Sequence, residues 1–298
     1  MPSAGSRALA TQPSVDARAV RPWTQGRGYA LLAAVPCVYL AVFFVWPLAR
    51  VALRSVMEPR PGFGNYTKIL SGGPFLQILI YTLEVAAIVT AVSLLIAYPV
   101  AALTARMQGR RLQLMTALIV GSLWTSAVIR SYAWMILFQR YGIVNEALIW
   151  LGFADSPVRI LQTTTAVVIG MVHVLLPFML LPLIAAMRRI DPNLLRAGRI
   201  LGANPFRLFL RVYFPLSLPG VHAGTVLVFI SSLGFFITPS LLGGGRTMMA
   251  AMIIEQEANV FLDWPMASAI ATVLLAFTLV LYVAYGRLAR VDVTRGLR

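Results

Sequence analysis

The chain has 298 residues, of which 59% are hydrophobic and 12% charged, with a mean hydropathy of +0.81. A soluble domain is about 45–50% apolar and about 25% charged, so an ordinary soluble protein is excluded and an integral membrane protein is indicated. The formal charge of +15 would suggest nucleic-acid binding in a soluble chain, but in a membrane chain it reads as topology, because basic residues collect on the cytoplasmic side.

From the N-terminus, residues 1–28 are rich in Ser, Ala, Pro and Arg with no periodic apolar pattern, and read as a disordered cytoplasmic arm. Residues 29–298 read as one transmembrane domain. A helix crosses the hydrocarbon in about 20 residues, and six apolar stretches are long enough: 29–49, 76–104, 112–138, 160–187, a part of 212–245, and 264–286. The second is interrupted by Glu84, the third contains Arg130, and the fifth lies in a stretch too long for one straight span. The runs are continuously apolar rather than alternating, which excludes a β-barrel and makes the fold all-α. Pro99, Pro177, Pro182, Pro219 and Pro239 are expected to kink or break their helices.

An even number of spans places both termini, the 2–3 loop and the 4–5 loop on one side. That side carries seventeen Lys and Arg residues against Asp16, Asp191 and Asp292. The other side carries seven basic groups against six acids. The arginine-rich side is therefore expected in the cytoplasm, with both termini inside.

The 4–5 loop, residues 188–214, is the most informative segment. Asp191-Pro192 fits an N-cap and first helical position, and Leu194, Leu195, Ala197, Ile200 and Leu201 follow as a helical apolar stripe beside Arg196 and Arg199. Gly202 suits the left-handed residue that ends a helix. Asn204-Pro205 repeats the start signal for a second short helix with Phe206, Phe209 and Leu210, and Pro215 marks the beginning of the fifth span. Both apolar faces need cover. This chain's own helices, the lipid interface and a partner's groove all remain open.

The loop resembles the EAA loop of importer-type ABC permeases, E-A-A-x3-G-x9-I-x-L-P, which is met here by Arg196-Ala197-Gly198, Gly202 and Val212-x-Phe214-Pro215. Segments 124–134, 142–146, 173–178, 238–244 and 263–265 are similar to the permease subunits of spermidine/putrescine transporters. The resemblance implies a six-helix, type I (MetI-like) importer permease of a bacterial inner membrane. It further implies that Arg196, Ala197, Gly198, Gly202, Pro205, Val212 and Pro215 couple the chain to a cytoplasmic ABC ATPase dimer. A second, similar permease would complete the pathway, and a periplasmic solute-binding protein would deliver a polyamine, or another small organic solute, to regions 58–68, 142–159 and 242–263. Two residues depart from the pattern: Arg196 replaces the acidic position and Gly198 the second alanine. An arginine cannot reproduce an acidic contact, and glycine inside a helix costs about 1 kcal/mol relative to alanine.

Residues of the translocation pathway are sought among polar groups at membrane depth, where charge is costly and by default functional. Glu84 would suit a cationic amine. Arg130, among Trp124, Ser126, Tyr132 and Trp134, would repel one and reads as structural, either paired with Glu84 or snorkelling outward. His173 and His222 read as packed, hydrogen-bonded histidines. No Walker motif is present, so ATP hydrolysis belongs to a partner, and the expectation is a transport subunit without enzyme activity, cofactor, metal or nucleic-acid partner. A secondary transporter would leave the 4–5 loop unexplained. An intramembrane enzyme would need a nucleophile–base pair or a metal constellation at depth.

Overall fold

A computed structural model of the protein describes residues 34–245 and 247–295. The arm expected over residues 1–28 lies outside them. The chain divides into two compact units, residues 1–50 and 51–298, which are taken separately. The described part of the first belongs to α1 (Ala34–Met57), whose last turns fall in the second. Within α1, residues Ala41–Val45 form a π-turn in which the Trp46 N–H donates to the Ala41 carbonyl, just before Pro47. Proline lacks an N–H and its ring crowds the carbonyl four residues back, and a turn with one extra residue relieves that crowding.

The second unit continues with α2 (Gly64–Leu70), α3 (Pro74–Arg106), α4 (Gly109–Trp124), α5 (Ala127–Leu137) and α6 (Ile143–Trp150). It then has α7 (Thr164–Arg188), α8 (Pro192–Ile200), α9 (Pro205–Leu233), α10 (Ile237–Leu242), α11 (Ala250–Asn259) and α12 (Trp264–Arg295). No strand occurs among the described residues. α1, α3, α7, α9 and α12 are long and apolar enough to span a membrane. α4 and α5 together supply the sixth apolar stretch, but they meet at 91°.

Two expectations about the spans need correction. The stretch 112–138 is not one straight helix. It breaks at Thr125-Ser126, where Thr125 is extended and the Ser126 hydroxyl accepts the Val128 N–H at 3.3 Å. A hydroxyl that caps the next helix competes with continuation of the last one. Meanwhile α3, α7 and α9 run on through Pro99, Pro177, Pro182 and Pro219, so the sharp break falls where no proline stands. The second short helix of the 4–5 loop is likewise not separate. It is the first turn of α9, joined to the span by a second π-turn at Phe209–Tyr213, directly ahead of Phe214-Pro215.

α7 is the most enclosed helix, packed between α3 and α9. Its Leu175, Met179 and Leu183 meet Val85 and Val89 of α3 and Val221 and Val228 of α9 in the main core. The α7–α9 contact is a close approach of backbones. A Cβ at Gly220 would lie 2.6 Å from the Ala186 Cβ and 2.9 Å from the Pro182 carbonyl oxygen. One at Gly224 would lie 2.7 Å from the Met179 sulfur. Small residues four apart are how membrane helices gain dispersion contact when lipid is as apolar as leucine. Side-chain pairs pin the assembly: Tyr98 with Ser217, Tyr81 with Thr164 (each 2.9 Å), and Ser131 with Thr238 (2.8 Å). A smaller cluster joins Ile69 of α2, Ile253 of α11 and Met266 and Ile270 of α12.

Glu257 of α11, outside the spans, is only 7% exposed. Burial, and then the negative charge of Asp263, hold its carboxyl above the usual range. Between the unfolded and the folded pKa the folded chain therefore holds a proton that the unfolded chain has released, and stability is lost as pH rises across that window. Glu257→Gln should raise the melting temperature of the detergent-solubilised protein at about pH 7.5, and the gain should vanish near about pH 3, where both states are protonated. Gly220→Leu should lower the melting temperature, since overpacking costs about 1–3 kcal/mol or more and the facing atoms, the Ala186 Cβ and the Pro182 carbonyl, cannot rotate out of the way.

Candidate functional site

The 4–5 loop forms a compact corner between the C-terminal end of α7 and the start of α9. The Asp191 carboxylate accepts the Asn193 N–H (2.9 Å), with Pro192 opening α8, as the cap-and-proline signal requires. At the other end the Gly202 N–H donates to the Arg199 carbonyl and the Ala203 N–H to the Gly198 carbonyl, both at 3.0 Å. With Gly202 at φ +79°, this is a Schellman termination. The Asn204 side chain then accepts the Arg207 N–H (2.7 Å) and Pro205 starts α9. Three local signals thus turn the chain through α8 into α9 without help from the rest of the fold.

Tertiary packing decides which apolar groups of the corner are covered. Leu195 packs on the main core. Leu208 is 6% exposed and its methyl occupies the space over Gly198, where a Cβ would stand 2.5 Å from Leu208 Cδ1. A methyl at this position would require the end of the Leu208 side chain to shift. Tyr213 is buried, with the Arg106 guanidinium 5.7 Å over its ring. Val212 is half-buried in the π-turn, and Pro215 lies in the turn that follows. Ile200 and Leu201 are each 86% exposed, and Phe206, Leu194 and Leu210 are exposed as well. Arg196 and Ala197 are also exposed, the arginine donating to Asn193 Oδ1 at 3.4 Å. The corner therefore presents an unpartnered apolar surface ringed by arginines.

The second polar locus lies at the broken span. Trp124 is exposed at the break, Ser126 caps α5, and Tyr132 is exposed on it. Arg130 is half-buried and donates to the Val174 carbonyl of α7 at 3.5 Å, while its Nε has no partner. It does not pair with Glu84, which is exposed on α3; the one ion pair among the described residues is Arg54–Glu58. Sequence reasoning missed the role of Trp134. Its indole N–H donates to His173 Nδ1 at 3.0 Å, the two rings meeting edge to face. His173 Nδ1 is thereby an acceptor, so the neutral ring carries its proton on Nε2. Residues 39 positions apart give no spacing signal for this pair. The result is a polar face across α5 and α7, on which His173 is exposed and Arg130 and Trp134 are half-buried.

Gly198→Ala should be tolerated, because a Leu208 methyl can rotate away and the helix gains about 1 kcal/mol in propensity. Gly198→Ile should unseat Leu208 and loosen α8 from α9, read as faster proteolytic cleavage within residues 199–204.

Comparison with known proteins places this geometry among transport subunits. Residues 27–291 match the family model described as binding-protein-dependent transport system inner membrane component. The spermidine/putrescine transport system permease protein PotB of Haemophilus influenzae is 38% identical over 221 residues, covering 73% of this chain and 77% of that protein. The protein of the same name from Escherichia coli K12 is 35% identical over 226 residues, covering 76% and 82%. In fold, the chain is similar to one in the crystal structure of a bacterial alginate ABC transporter in complex with an alginate pentasaccharide-bound periplasmic protein. There the TM-score is 0.75 at 16% identity, with 89% of this chain and 95% of that chain covered.

Proposed function

Since the chain belongs to the family of binding-protein-dependent transport system inner membrane components and has the type I importer permease fold, we propose that it is the membrane-spanning subunit of an ATP-driven importer for polyamines such as spermidine and putrescine. The observation that carries the transport mechanism is the α8 corner, a rigid turn joining two packed spans and offering exposed Ile200 and Leu201 to a partner. The solute class rests on the two spermidine/putrescine permeases that align with about three quarters of the chain.

In this reading a cytoplasmic ATPase dimer grips α8 by its apolar residues. Arg196, Ala197, Gly198, Gly202, Pro205, Val212 and Pro215 form or shape the contact. Arg196 in place of the usual acid implies an acidic or neutral counterpart on the ATPase. Closure of the ATPases pulls on α8 and so on α7 and α9 together, biasing an inward-facing and an outward-facing arrangement through their different contacts. Both termini and α8 face the cytoplasm, in line with the seventeen basic groups on that side. Residues 29–298 act as one permease domain, with residues 1–28 as a cytoplasmic arm.

The pathway runs where polar groups stand exposed at membrane depth, since such groups face a protein partner or a water-filled cavity rather than lipid. Glu84 of α3, and Trp124, Ser126, Arg130 and Tyr132 at the broken span, are assigned to that surface, completed by a second permease. The Arg130 guanidinium donates to the Val174 carbonyl at the face's edge, leaving aromatic rings and His173 beside the passing cation.

The test is uptake of radiolabelled spermidine and putrescine by proteoliposomes holding the complete transporter. ATP-dependent uptake delivered by the solute-binding protein is expected for the wild type. Gly202→Val should reduce it at least about tenfold, because a β-branched residue is strained by about 1–2 kcal/mol or more in the left-handed region, whereas Gly202→Asn should retain most of it. Absence of uptake of either polyamine would remove the solute assignment, and an unaffected Gly202→Val transporter would remove the coupling role of α8.

A further inference from the structure

Where α3 ends and α4 begins, the chain forms a cleft of 510 Å³. Arg106, Arg110 and Arg111 line it beside Leu103, and no carboxylate does. The link between the helices is short: Met107 and Gln108 are extended, and Gly109 at φ +57° makes a turn that glycine takes without strain. The last residue of α3 is thereby brought back beside the first turn of α4. Three like charges within six positions repel one another unless an anion lies among them. The one ion pair among the described residues is Arg54–Glu58, so no acid neutralises the three there. Arg106 is held in place from behind, its guanidinium 5.7 Å over the ring of Tyr213, which is 6% exposed and whose hydroxyl has no hydrogen-bond partner among the described residues. The charged rim adjoins apolar surface. Leu103 lies one turn back from Arg106, Leu114 and Leu118 lie one and two turns on from Arg110, and all three are exposed.

We propose that this cleft binds the headgroup phosphate of an anionic phospholipid, whose acyl chains lie over Leu114 and Leu118. Guanidinium forks match phosphate oxygens in geometry as well as sign. The first N–H groups of α4 have no side-chain cap, so the positive end of a 16-residue helix adds to the same spot. Basic pockets between membrane helices take such headgroups. A soluble phosphate would satisfy the arginines and leave the leucines bare, whereas a lipid covers both. Arginines that only snorkel need no common cleft and no fixed partner. Here Arg106 is fixed on Tyr213, the last residue of the π-turn that leads from the α8 corner into the body of α9. A bound phosphate therefore shares Arg106 with that turn, and the lipid charge is felt next to the corner. The site depends on the membrane fold alone and not on which solute is carried.

The experiment titrates the full-length protein, purified with the subunits it retains, with phosphatidylglycerol and with phosphatidylcholine, and counts bound lipid by native mass spectrometry. Phosphatidylglycerol should bind at least about tenfold more tightly, and Arg110→Gln with Arg111→Gln should lose one tightly held lipid, while Arg110→Lys with Arg111→Lys keeps it. Inorganic phosphate in large excess should leave the lipid bound. A second arm needs no variant: a photoactivatable phosphatidylglycerol should label residues 103–118 of the wild-type protein. A lipid count unchanged by the double Gln variant overturns the proposal, as does labelling confined to other helices. Full displacement by inorganic phosphate also overturns it and assigns the cleft to a soluble phosphate. No step uses ATP or polyamine, so a failure of uptake bears on the importer reading and leaves this result intact.

Discussion

The arrangement depends on one contact, the close packing of α9 against α7 through Gly220 and Gly224. Without Cβ atoms at those positions, the α9 backbone lies against Pro182, Leu183 and Ala186, and dispersion acts at short range where the hydrophobic effect gives no preference. The two helices are thereby packed as one unit. α8 is the link between the C-terminal end of α7 and the start of α9, so its position is set by theirs. A force applied at Ile200 and Leu201 reaches the core through Leu195 and through Leu208 seated on Gly198. In the proposed coupling role, the loop would serve as a handle because the helices it joins are packed together.

The proline-rich spans show how a helix accommodates residues that should interrupt it. Ahead of Pro47 and Pro215 the chain inserts a π-turn and carries on. At Pro99, Pro177, Pro182 and Pro219 the helix continues through the proline. The sharp bend occurs instead at Ser126, which trades helical hydrogen bonding for a cap and sends α5 off at 91° from α4. That bend brings Arg130 and Trp134 alongside Val174 and His173 of α7 and places Ser131 against Thr238 of α10. A straight third span would not turn α5 across α7 and α10 in this way.

Much of the candidate site was legible in the residues. Asp191-Pro192, Gly202 and Asn204-Pro205 act within a few positions of themselves, and each forms the cap or turn its type favours. The departure at Gly198 was visible, but the Leu208 methyl that packs over it comes from the next helix and leaves no mark in the local sequence. The break at Ser126 was hidden by the strength of the apolar run around it, since hydropathy averages over a window and a cap is a single hydrogen bond. The Trp134–His173 bond and the hydrogen bonds of Asn145 to Val158 join residues with no periodic relation, so no pattern marks them.

Composition alone determined that the chain lives in a bilayer, and the placement of its basic residues bears on which way it faces, because both reflect transfer free energies that sum over residues regardless of their neighbours. The local turns of the α8 corner were determined in the same way, by side chains bonding to backbone nearby. The tertiary structure decided which apolar residues of that corner stay uncovered, which polar groups gather on one face, and how Arg106 of the arginine-lined cleft comes to lie over Tyr213. Those outcomes depend on how closely helices approach and at what angle. That is a property of packed surfaces, and no single segment carries it.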